Sequence, residues 1–184
     1  MGIVIAGMTM SLDGFVADPE GNLDLLYPDF ADLQGSDYMS AIIEETGAVL
    51  MGRKTFEMGD PDSWVSTYEF YVPIFVLTHH PPRTPPKQDE HLTFTFVSGD
   101  VADAVAQAKA AAGDKAVQVV GGANVIQQLL QAGLVDELSI DVMPVLLGTG
   151  LRLFHPTDDT PTRLERIGME AIGQRISLRF RVIR

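Results

Sequence analysis

Cysteine is absent from this 184-residue chain, and tryptophan occurs once. Without thiols there is no disulfide framework, no thiolate metal site and no cysteine nucleophile, which points weakly to a reducing compartment. Basic residues are scarce as well. Thirteen Lys and Arg face 25 Asp and Glu, and the formal charge of −12 argues against nucleic acid as a partner, since non-specific binding draws on clustered cations. Long apolar runs are also missing. Met1 to Met10 is apolar but short, has no Lys or Arg ahead of it and runs straight into Ser11-Leu12-Asp13-Gly14, so it does not read as a secretion signal. No stretch approaches membrane-spanning length. The expectation is a cytoplasmic protein with neither membrane nor nucleic-acid partners.

What remains is globular in character. Hydrophobic residues make up 46% and charged residues 21%, which excludes a disordered chain and predicts one domain over residues 1–184 with a sizeable core. No internal repeat and no linker divides it.

The most organised stretch is Val117-Gln118-Val119-Val120-Gly121-Gly122-Ala123-Asn124-Val125-Ile126, a short buried strand meeting two glycines and then a helix. Val125, Ile126, Leu129 and Leu130 recur at helical spacing, and Gly133 stands at the C-cap position. Lacking a Cβ, Gly121 and Gly122 let a ligand approach the backbone, whose free amides at a helix start attract phosphate. A tight strand-to-helix turn without a ligand accounts for the pair equally well. The pattern is not the G-x-G-x-x-G of a Rossmann domain.

Other strand ends carry chemistry too. Ile3 to Met10 has the composition of a strand buried on both faces, and it leads into a turn-rich segment bearing Asp13, Asp18 and Glu20. Asp13 fits either a ligand site at the carboxyl end of a sheet or an Asx-turn that shapes the loop. Residues 23–35 lack a period and are expected to form a flap. Ser36 caps a helix whose apolar stripe is Met39, Ile42 and Ile43 and which Gly47 closes. Asp37, in its first turn, either complements the helix dipole or contacts a heterocyclic substrate. The strand Ala48–Met51 is followed at once by Gly52-Arg53-Lys54-Thr55. Backbone amides with Thr55, a bidentate Arg53 and a point charge on Lys54 are the parts that hold phosphate groups, and that reading is preferred over a solvated turn.

Residues 73–77 form a third strand, and Thr78-His79-His80 occupy its end, as loop surface or as contacts to phosphate. Trp64, Tyr68, Phe70 and Tyr71 read as packing anchors. A strand at 92–97, a helix capped by Asp100 and ended by Gly113, and then the Gly-Gly stretch continue the strand-helix-strand alternation, so the sheet is expected to be largely parallel. Leu138, Ile140 and Val142 alternate in another strand, followed by a Gly-punctuated loop over residues 145–154. An amphipathic strand over 176–182, joined at Gly173-Gln174 to a preceding strand around 164–171, predicts an antiparallel hairpin at the sheet edge. The six arginines Arg163, Arg166, Arg175, Arg179, Arg181 and Arg184 read as a solvated strand face.

Taken together, Met10-Ser11-Leu12-Asp13-Gly14, Val49 to Glu57 with Gly52-Arg53-Lys54-Thr55, Val120-Gly121-Gly122-Ala123, Leu134 to Leu138, and Pro144 to Gly150 resemble the dihydrofolate reductase-like family. More narrowly, they resemble its branch related to the reductase domain of the bifunctional riboflavin-biosynthesis deaminase-reductase. The motifs stand in the family's order over nearly the whole chain.

The resemblance implies a three-layer α/β/α sandwich around a mixed, mainly parallel sheet with a C-terminal antiparallel hairpin, NADPH as cofactor, and a homodimer. It assigns Gly52, Arg53, Lys54, Thr55, Thr78, His79, Val120, Gly121, Gly122, Ala123 and Asn124 to the cofactor, with Asp13 or Asp37 as the catalytic carboxylate and no metal. The implied activity is hydride transfer from NADPH to a small pterin- or aminopyrimidine-like substrate. An NADPH-binding protein without turnover and a flavin-dependent reductase are the alternatives. A deaminase half would need cysteine-ligated zinc, so a stand-alone reductase is expected. The absence of tryptophan from residues 15–35 speaks against dihydrofolate as the substrate.

Overall fold

The computed structural model describes residues 2–154 and 161–184. In chain order its first half comprises β1 (Val4–Ser11), β2 (Phe15–Ala17), α1 (Phe30–Leu33), α2 (Asp37–Glu45), β3 (Thr46–Gly52), α3 (Arg53–Glu57), α4 (Trp64–Thr67) and β4 (Ile74–Leu77). The second half adds β5 (Phe94–Val97), α5 (Val101–Ala112), β6 (Ala116–Val119), α6 (Ala123–Gln131), β7 (Glu137–Met143), β8 (Leu151–Arg152), β9 (Arg163–Ile172) and β10 (Arg175–Ile183).

Eight strands form one sheet in the order β5-β4-β3-β6-β1-β7-β10-β9. The six from β5 to β7 are parallel, and β10 runs against both of its neighbours. The parallel strands are apolar on both faces because helices cover both. On one face Ala48, Leu50, Val117 and Val119 pack with Ala104, Val105 and Ala108 of α5 and Val125, Ile126 and Leu129 of α6. On the other, Val49, Met51, Ile74 and Val76 pack with Phe56 and Trp64, and α2 adds Met39, Ile42 and Ile43. The architecture is the three-layer α/β/α sandwich with a mainly parallel sheet and a C-terminal hairpin. Each large apolar side chain buried this way contributes about 1.5–3 kcal/mol.

Capping follows local chemistry. The Ser36 hydroxyl accepts from the Met39 amide at 3.1 Å, and Asp100 accepts from the Asp103 amide at 2.9 Å. The anchors Trp64, Tyr68 and Phe70 sit in or against the second core cluster, whereas Tyr71 is exposed. Among the described residues no helix is long and apolar enough to cross a membrane.

Three features depart from expectation. Gly47 does not close α2; it lies inside β3, where a Cβ would stand 2.6 Å from the Ala112 carbonyl, so packing against α5 requires glycine. Beside the main sheet, β2 and β8 make a two-stranded antiparallel sheet that binds the segment after Asp13 to the Gly-punctuated loop. The arginines of the C-terminal hairpin are not uniformly solvated: Arg175 is fully buried, and Arg179 is paired with Glu45 and Glu137.

Candidate active site

The carboxyl ends of β1, β3, β4 and β6 open into a cleft of about 2130 Å³, the edge at which open α/β sheets receive ligands. Two chemically different halves share it.

The first half gathers cations, hydroxyls and backbone amides. Gly52, Arg53, Lys54 and Thr55 line it from the β3–α3 junction, Thr78, His79 and His80 from the end of β4, and Gly122, Ala123 and Asn124 from the start of α6. Gly122 caps α6 without any side-chain hydrogen bond to the helix, which leaves the amino-terminal amides and the positive end of the dipole turned to the cleft. The two glycine loops are tied together where the Gly52 amide donates to the Gly121 carbonyl at 2.8 Å. Gly121 has φ 123°, and a Cβ there would come within 3.2 Å of both Met8 Cε and Thr55 Oγ1. Bare backbone is therefore needed where Thr55 meets the loop. Arg53 leans on Glu57 at 3.5 Å but keeps 45% of its side chain exposed, so it remains available to a ligand. Of the eleven residues assigned to a cofactor, ten line the cleft; Gly121 sits behind them, bridging to Gly52.

The second half is polar and centred on an arginine. Arg175 donates from Nε and Nη2 to the two oxygens of Asp29 at 3.0 and 2.8 Å. From Nη1 it donates to Asp141 Oδ2 at 3.0 Å and to Thr9 Oγ1 at 2.7 Å, and from Nη2 also to the Leu26 carbonyl at 3.1 Å. The guanidinium carbon lies 5.4 Å from the centre of the Tyr27 ring. Asp141 takes a further bond from the Tyr38 hydroxyl at 2.8 Å, and because the phenol proton goes to the carboxylate, the Ser177 hydroxyl 3.1 Å away donates to the Tyr38 oxygen. Burial, reinforced by the Asp141 charge, pushes Tyr38 well above the ordinary phenol range and keeps it a neutral donor. The Arg175 hydrogen bonds hold the Asp29 carboxyl below its ordinary value. Tyr27, Tyr38, Thr9, Ser139, Asp141 and Arg175 all line the cleft.

Neither carboxylate singled out in the sequence belongs to this cleft. Asp13 accepts from the Ser11 hydroxyl at 2.6 Å and from the amides of Leu147 and Gly148 at 3.1 and 2.7 Å, so it fastens the β1–β2 turn to the loop that carries Thr149 and Gly150. The Ser11 hydrogen bond above all holds Asp13 below the ordinary carboxylate value. Asp37 is exposed in the first turn of α2 and does not line the cleft; its neighbour Tyr38 does. The expected flap at residues 23–35 does wall the cleft, through Leu23, Asp24, Tyr27, Phe30, Leu33 and Gln34.

Arg175, Asp141, Tyr38 and Asp29 escaped the sequence reading. One signal was available. Glu137, Ser139 and Asp141 on one strand and Arg175, Ser177 and Arg179 on another are polar at alternate positions, and a sheet that pairs the two strands places both sets on one face.

The chain is similar along 174 residues, 94% of each sequence, to a Bacillus subtilis protein described as uncharacterized protein YwjB, with 30% identity. It superposes with a TM-score of 0.77 and 26% identity, over 99% of both chains, on a crystal structure described as a putative riboflavin biosynthesis protein from Shewanella sp. PV-4. At 17% identity the fold alone is shared with the Saccharomyces cerevisiae riboflavin biosynthesis reductase Rib7, at a TM-score of 0.64 over 100% of this chain and 92% of the other. The sequence model of one family, the RibD C-terminal domain, matches residues 3–178, a span that holds both halves of the cleft from Gly7 to Arg175, and the chain belongs to that family.

Proposed function

We propose that the protein is a stand-alone, NADPH-dependent reductase of a small heterocyclic, pterin- or aminopyrimidine-like substrate. The observation that carries this reading is the division of one continuous cleft into an anion-binding half, at Arg53, Lys54, Thr55, Thr78 and the start of α6, and a polar half built around Arg175. The donor set fits the cofactor: an uncapped helix start with bare glycine suits a pyrophosphate, and the Arg53 guanidinium with Thr78 and His79 suits a further phosphate. NADPH, when bound, supplies the hydride.

The residues of the polar half orient the acceptor and manage charge. Asp141, fixed by Arg175 and Tyr38, takes the place that sequence reading gave to Asp13 or Asp37 and accepts from N–H groups of the ring. Tyr38 stays protonated and donates its hydroxyl hydrogen bond to Asp141, which holds that carboxylate in place for the ring. Leu23, Phe30 and Leu33 add apolar surface to the wall of the same cleft. The homodimer belongs to the same proposal, with the apolar side chains that the hairpin leaves exposed, among them Leu164, Met169 and Ile176, as the contact surface.

Calorimetric titration of the purified protein with NADPH and NADH, followed by NADPH oxidation in the presence of pterins and aminopyrimidines, tests the reading. Binding of NADPH with turnover of at least one such heterocycle is expected. Tight binding without any turnover leaves a nucleotide-binding protein, a yellow or fluorescent preparation points to a flavin enzyme, and no binding overturns the proposal.

A further inference from the structure

Among the described residues one buried side-chain polar atom has no hydrogen-bond partner, Oε1 of Gln118. Gln118 is 5% exposed and lies in the middle of β6, between Val117 and Val119, which are fully buried. A carbonyl oxygen in that position is costly to leave without a donor, and an apolar side chain of the same length would avoid the cost. The neighbouring strand makes room for the amide. At Gly7 of β1 a Cβ would approach Gln118 Nε2 to 2.6 Å, so a larger residue there would force the amide out of its place.

The position of the amide gives it a use. Ile5 pairs with Gln118 on one side and Glu137 on the other, Gly7 pairs with Ser139 and Thr9 with Asp141, so Gln118 shares a sheet face with the polar half of the cleft. Tyr38, Ile42, Gln118 and Ser139 line both the main cleft and a smaller pocket of about 330 Å³ behind it. Gln118 therefore stands in the partition at the floor of the polar half. A carboxamide carries an acceptor and a donor in one plane, the complement of a ring N–H next to a ring carbonyl.

We propose that Gln118 is a specificity-determining residue whose carboxamide reads a lactam edge of the substrate ring, Oε1 accepting from the ring N–H and Nε2 donating to the adjacent carbonyl. The proposal rests on the reductase reading and adds to it the edge of the heterocycle that the protein recognises.

The test compares 5,6-diaminouracil with 5,6-diamino-1,3-dimethyluracil, whose ring N–H groups are blocked, by calorimetry on NADPH-saturated wild type and Gln118→Met. Wild type should bind the unmethylated ring about tenfold or more tightly than the methylated one, the scale of one hydrogen bond to a buried group. In Gln118→Met the preference should vanish while NADPH affinity is unchanged, and the ligand-free variant should melt at the same temperature as wild type or higher, because the unpaired oxygen is gone. Equal binding of the two rings by wild type, no binding of either, or a preference that survives in the variant would overturn the assignment. So would a lower melting temperature of the ligand-free variant, which would mean that the amide holds a structural water. If neither protein binds NADPH, the cofactor reading fails on its own, and the lactam preference is read on the cofactor-free proteins.

Discussion

Arg175 meets Asp141 at 3.0 Å with its guanidinium wholly shielded from solvent, and the same group forks onto both oxygens of Asp29. A buried pair of this kind yields little net stability over an apolar substitute of matching shape, but removing one partner leaves the other charge stranded. Arg175→Met should therefore cost about 3–5 kcal/mol in denaturant unfolding, because two carboxylates lose their cation. Arg175→Lys should recover only part of it, since an ammonium cannot fork onto Asp29 and reach Asp141 and Thr9 as well.

Acid should loosen the same cluster. The Asp29 carboxyl titrates below its unfolded value, so the unfolded chain takes up the proton more readily than the folded one. The contribution is complete above the ordinary aspartate range near pH 4 and is lost as pH falls through the depressed folded value. The melting temperature should drop steeply below about pH 4, and Asp29→Asn should start lower at neutral pH and fall less on acidification. A variant with the full wild-type slope would place the acid sensitivity elsewhere.

At the other end of the cleft, Arg53→Ala should weaken NADPH binding by about tenfold to a hundredfold, the range for losing a hydrogen bond to a charged group. The loss should shrink at high salt because Arg53 is half exposed. Calorimetry at two ionic strengths checks both statements.

Asp13→Asn keeps the shape of the side chain but weakens its grip on the Leu147 and Gly148 amides. The variant should melt at a lower temperature and exchange the amide hydrogens of residues 145–150 faster, while the turnover number stays within about threefold of wild type, the mark of a residue outside the reacting centre. A collapse of turnover with unchanged exchange would return Asp13 to the chemistry.

Met169→Glu should give a monomer in sedimentation if the hairpin is the contact surface, since Met169 is exposed and a charge there cannot be buried against a second copy. A variant that sediments as wild type would move the interface away from the hairpin.

The parallel core was legible in the sequence because its signals are local. Buried runs such as Ala48–Met51, caps at Ser36 and Asp100 and the turn at Gly173-Gln174 each need only a few neighbours in the chain. The meeting of Gly52 to Thr55 and Gly122 to Asn124 at the strand ends was legible for the same reason, as each stretch is contiguous. The polar half was not. It joins Thr9, Asp29, Tyr38, Asp141 and Arg175 from five separate stretches, and nothing near Arg175 distinguishes it from the other arginines of its strand. Asp13 stayed open between two readings because a turn carboxylate bonded to distant amides, Leu147 and Gly148, carries the same local signature as one facing a ligand.

The placement of Arg175 on β10 also orders the assembly of the protein in time. The strands and loops of the first half of the cleft have all been synthesised by Gln128, whereas Asp141 has no counterion until the hairpin, which follows it in the chain, docks against β7. A nascent chain paused before the hairpin would hold the complete loops at Gly52 to Thr55 and Gly122 to Asn124 beside an open sheet edge bearing the uncompensated carboxylates Glu137 and Asp141. Closure of that edge and neutralisation of those charges are then a single event.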